Sequence, residues 1–64
     1  MIHDPLRLAA DLRLLLREGT PLPEAVRYLH GAKQIGKLLL VQAVVDVTGM
    51  KRAEAQRLVV DETS

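Results

Sequence analysis

Leu38-Leu39-Leu40-Val41-Gln42-Ala43-Val44-Val45-Asp46-Val47 is the stretch that decides how this chain folds. It holds only two polar side chains, Gln42 and Asp46, four positions apart. On a helix of 3.6 residues per turn those two lie one above the other and leave the rest of the cylinder apolar. Such an element has to be covered on several sides. The reading therefore places a helix from about Lys37 to Val47 at the middle of the molecule, with every other segment arranged around it.

Working towards the C-terminus, Thr48-Gly49 stops this helix, and Lys51 to Val60 reads as a fourth helix. It would bury Ala55, Leu58 and Val59 and keep Glu54, Arg57 and Asp61 in water. Residues 61–64 are expected to fray. Towards the N-terminus, Ala32 to Gly36 reads as a short connection. Before it, Thr20-Pro21 marks the start of a second helix running to His30 and closed by Gly31, with Leu22, Ala25, Val26 and Leu29 as its buried stripe. The first helix starts with Asp4 as N-cap and Pro5 at its first position, and Gly19 ends it in the C′ place. Leu8, Ala9, Leu12, Leu15 and Leu16 share its apolar face, which Leu14 widens.

The fold class expected is all-α: four short helices forming two αα-hairpins, 4–31 and 35–62, in one small bundle spanning 1–64. A shift of 30 residues brings the halves into register. Leu8 meets Leu38, Leu15 meets Val45, Gly19 meets Gly49, Glu24-Ala25 meets Glu54-Ala55, Arg27 meets Arg57 and Leu29 meets Val59. The expectation is two hairpins packed face to face. Strands are not expected, because no alternating β-branched run bounded by turns occurs.

A 64-residue chain buries only about 60% of its unfolded surface and is marginal without help. There is no cysteine, so no disulfide and no thiolate metal site. His3 and His30 lie 27 positions apart with no third ligand at zinc-like spacing. With Tyr28 the single aromatic residue, the core has to be aliphatic, and self-association is the remaining route to extra stability. Nine basic and eight acidic residues give a net charge of +1 with both signs evenly spread, so no electrostatic footprint for nucleic acid or anionic lipid stands out. The apolar run is about half of what spans a bilayer. A cytoplasmic, unprocessed protein with no cofactor and no metal is expected.

The stretch from Lys37 to Val60 resembles the helical hairpin of the C-terminal domain of the bacterial large-subunit ribosomal stalk protein. It is also similar to short uncharacterised bacterial proteins that reuse that hairpin. The likeness rests on Lys37, Val41, Ala43-Val44, Thr48-Gly49, Glu54-Ala55 and Leu58-Val59, covering about a third of the chain. It implies a tight reversal at Thr48-Gly49 and close approach of two helices at the small Ala43 and Ala55. In that family the hairpin presents basic residues that dock translation GTPases. Here Lys37 keeps that character, whereas Gln42, Val45 and Gln56 stand where lysine or arginine is expected, and the strands of the stalk domain have no counterpart. What carries over is the hairpin and a general binding role.

Two functional readings come from different classes. The first is a non-catalytic protein-protein interaction module, a homodimer or a docking site for a partner helix, using Leu39, Leu40, Val44 and Val45 of the third helix. The alternative is a helix-turn-helix DNA-binding protein built from the third and fourth helices. Val45, Gly49, Met50, Ala55 and Leu58 fit its spacing, and Lys51, Arg52, Gln56 and Arg57 would contact DNA. The balanced charge argues against it, because phosphate contacts normally supply much of the affinity. Catalysis is not expected: the one serine is Ser64, and no Gly-rich phosphate loop follows a strand. Glu24 and His30 are better read as a first-turn anion and a last-turn imidazole, each favoured by its end of a helix dipole.

Overall fold

The computed structural model describes the backbone of residues 5–64 and the side chains from Arg7 onward. Asp4 as N-cap and His3 as a ligand both lie outside the described residues. Four helices follow one another: α1 (Pro5–Arg17), α2 (Leu22–Ala32), α3 (Lys37–Thr48) and α4 (Arg52–Thr63). No strand is present among the described residues. No helix among them is long and apolar enough to cross a membrane.

The two hairpins stack as expected, but most of their contact runs between hairpins rather than within the first one. α3 packs chiefly on α4 and α1, α2 packs on α4, and α1 and α2 touch only over a short stretch. The ring order is therefore α1, α3, α4, α2, with α2 also reaching α3 across the middle. The helices enclose an aliphatic core of Leu8, Leu12, Ala25, Val26, Leu29, Ile35, Leu40, Val41, Ala43, Val44, Ala55 and Val59. No polar side chain is buried among the described residues. Without a buried polar network to fix register, helix termini and shape complementarity have to do so.

The termini use three devices. At the end of α1, Gly19 takes φ +94°, its N–H bonds to the Leu16 carbonyl at 3.1 Å, and the Thr20 N–H bonds to Leu15 at 3.0 Å. That pair of bonds is a Schellman motif. At the end of α3, Gly49 takes φ +73°, and its N–H bonds to the Val45 carbonyl at 2.9 Å, the single-bond αL form. Thr48 adds a lock, donating its hydroxyl to Val44 at 2.6 Å and accepting the Met50 N–H at 3.1 Å. At the end of α2 no glycine is used: Gln34 carries the positive φ of 54°, and the His30 Nδ1–H donates to the Ile35 carbonyl at 3.0 Å.

Several boundaries differ from the expected ones. α2 runs through Gly31 to Ala32, so the glycine sits inside the helix rather than closing it. Its first residue is Leu22, with Pro21 as N-cap and no side-chain cap bond, so Thr20 does not cap it. Lys51 is the N-cap of α4 rather than its first residue. The tail is helical through Thr63, because the Thr63 hydroxyl donates to the Val59 carbonyl at 2.7 Å and Glu62 pairs with Arg27 at 2.9 Å. Ile35, within the expected connection, is a core residue at 4% exposure.

Register within the repeat is the subtler difference. α2 and α4 keep the 30-residue shift at two core positions: Ala25 and Ala55 are both fully buried, as are Leu29 and Val59, whereas the fully buried Val26 has the exposed Gln56 as its mate. α1 and α3 do not. The core positions Leu8, Ala9 and Leu12 correspond to Leu40, Val41 and Val44, a shift of 32. Leu8 is therefore buried while Leu38, its expected mate, is 85% exposed. Two residues advance a helix by about 3 Å and turn it by about 200°, which is enough to put a different face inward.

Candidate functional site

An interface through Leu39, Leu40, Val44 and Val45 of the third helix needs all four side chains to face outward. The structure corrects this: Leu40 and Val44 are fully enclosed, and Val41 and Ala43 nearly so. α1, α2 and α4 all press on this helix, and its polar stripe faces out as read. Gln42 donates to the Asp46 carboxylate at 2.9 Å, and Arg52 donates to the Gln42 amide oxygen, tying α3 to the first turn of α4. Of the four residues proposed for an interface, Leu40 and Val44 are core. Leu39 and Val45 are half-buried against the core and keep an outer edge.

Apolar side chains do remain outside, in other places. Leu38 stands at the start of α3, and Val60 on α4 is moderately exposed. On the opposite hairpin, Leu14 of α1 is 55% exposed and Tyr28 of α2 is 50% exposed. These two flank a shallow groove of about 170 Å³ that Asp11, Leu15, Leu29 and Lys33 complete. The groove follows from the sparse contact between α1 and α2: their stripes turn towards α3 and α4, and the seam between them stays open.

Helical spacing held one part of the signal for this groove. Leu14 widens the apolar face of the first helix beyond what one contact can cover, and Tyr28 lies on the flank of the second. The sequence reading missed it because the density of apolar residues in 38–47 drew the interface there.

Lys51, Arg52, Gln56 and Arg57, the residues proposed for DNA contact, are all exposed at the cap and along the first turns of α4. Arg52 is engaged by Gln42, and the exposed Glu54 lies in the first turn of the same helix. The apolar positions of the helix-turn-helix spacing pack inward, with Ala55 buried and Val45, Met50 and Leu58 partly so. Glu24 and His30 occupy the first and last turns of α2, and His30 is committed to the Ile35 carbonyl. Among the described residues, no group of three or more His, Asp or Glu side chains is placed to hold a metal ion.

No family model, no curated protein and no solved structure matches this chain.

Proposed function

We propose that the chain is a non-catalytic protein-protein interaction module that self-associates. The observation that carries this reading is the position of Leu14, Tyr28 and Leu38: large apolar groups at or above half exposure on a molecule whose core is already closed without them. Leu14 and Tyr28 lie side by side at a groove, so their outer halves form one apolar patch, the kind of surface that docks a partner. The likeness of residues 37–60 to a hairpin that docks proteins points the same way. The surviving part of the third-helix interface, Leu39 and Val45 with the neighbouring Leu38, is a second, flatter candidate surface on the same molecule.

Sedimentation equilibrium over a wide concentration range tests the reading. The expected result is an average mass rising above 7.1 kDa with concentration. A mass that stays at the monomer value throughout removes self-association.

DNA binding through α4 is the competing reading, favoured by the common exposure of Lys51, Arg52, Gln56 and Arg57. It requires retardation of mixed duplex DNA that weakens steeply with salt. Absent or salt-insensitive retardation discards it.

A further inference from the structure

We propose that the groove between α1 and α2 seats a second copy of this chain, across a twofold axis running along the groove, with Asp11 of each copy opposite Lys33 of the other. This rests on the reading of the chain as a self-associating module and names the surface and the partner.

The groove has Leu15 and the buried Leu29 at its floor, and the projecting Leu14 and Tyr28 as its rims. A twofold axis along the groove lays Leu14 of one copy over Tyr28 of the other, so the exposed apolar rims cover each other twice per dimer, as an isologous contact requires.

The charges obey the same symmetry. Asp11 stands on the α1 side of the groove, and Lys33 at the end of α2 on the other. Within one copy they make no ion pair with each other; the ion pair among the described residues is Arg27 with Glu62. An axis along the groove exchanges its two walls, so the acid of one copy lies over the base of the other, twice per dimer. A foreign helix would need both signs at matching places, whereas a second copy supplies them by construction.

Size sets the strength. A standard interface takes about 800 Å² from each partner, a large share of a molecule exposing 4500 Å² in all. The groove and its rims amount to less than that, so the assembly belongs to the weak, concentration-dependent class.

Charge reversal with cross-mixing is the test. Asp11→Lys and Lys33→Asp are made separately, each checked for helicity by circular dichroism, and sedimented alone and as an equimolar mixture. Asp61→Lys, a charge reversal at an exposed position outside the groove, is the control, and Leu38→Glu probes the α3 surface. The expected result has the wild type and Asp61→Lys self-associating, each reversed variant weakened at least about tenfold by two facing like charges, and the mixture recovering association as a heterodimer. An effect confined within one chain would not be recovered by mixing.

Unrecovered association in the mixture overturns the twofold pairing. Reversed variants that associate like wild type, with Leu38→Glu alone deficient, overturn the groove and leave self-association standing on α3. A wild type that stays monomeric overturns this proposal and the self-association it rests on together.

Discussion

Leu14 and Val44 occupy the same place in the 30-residue repeat, yet Val44 is fully enclosed and Leu14 is 55% exposed. The second hairpin closes on itself through a long α3–α4 contact, and the first stays parted at its seam. Equal hydrophobicity at equivalent positions has thus produced a core in one half and a groove in the other. What separates them is rotation: the two-residue slip of α3 relative to α1 brings Leu40, Val41 and Val44 inward and turns Leu38 out. Burial follows from which face a helix presents, and composition alone does not fix it.

The comparison breaks most sharply at its own centre. Val44→Asp should unfold the chain, since an unpaired carboxylate at a fully buried position costs several kcal/mol, against a total of only about 3–10 kcal/mol for a domain of this size. Leu14→Asp, its mate in the repeat, should shift stability by no more than about 0.5 kcal/mol. Thermal melts followed by circular dichroism at low concentration check both, and a similar loss in the two variants would erase the distinction between the hairpins.

A milder cut uses Leu8 and Leu38. Leu8→Ala should cost about 2–4 kcal/mol as a core truncation, while Leu38→Ala should cost less than about 0.5 kcal/mol. Urea titration reads the difference, and equal midpoints would mean that the register is 30 throughout.

The two glycine caps give a control in which the hairpins should agree. Both have positive φ and open space where a Cβ would go, so Gly19→Ala and Gly49→Ala should each cost about 1–2 kcal/mol from backbone strain alone. The smallest effect is favourable. Gly31 lies inside α2 with nothing within 4 Å of an added Cβ, so Gly31→Ala should stabilise by about 0.5–1 kcal/mol. A loss of stability there would mean that α2 is not helical at Gly31.

The four helices and the central place of the third were legible because apolar spacing and punctuation agree: Pro5, Gly19 and Gly49 each stand where a helix begins or ends. Gly31 misled, because glycine marks an end only when its φ is positive, and here Gln34 takes that role instead. Ile35 was hidden for a related reason: a single apolar residue in a connector has no periodicity to announce it. One tie on the helical tail beyond Val60, Glu62 reaching Arg27 from 35 positions away, is encoded by no local pattern.

The candidate site was harder to read than the fold. Leu39, Leu40, Val44 and Val45 are apolar whether they face a partner or a neighbouring helix, and only the relative rotation of α1 and α3 separates those fates. The groove needs Leu14 and Tyr28, from different helices, to lie side by side across a seam. That adjacency is tertiary, and spacing along one helix says nothing of it.

The unequal shifts of 32 and 30 residues also give the molecule a sense of self and non-self at the level of its halves. α1 buries Leu8 and Leu12 where α3 buries Leu40 and Val44, so the faces that the two hairpins turn to each other are not equivalent. Severed at Gln34, the chain should therefore reassemble from unlike pieces in preference to like ones.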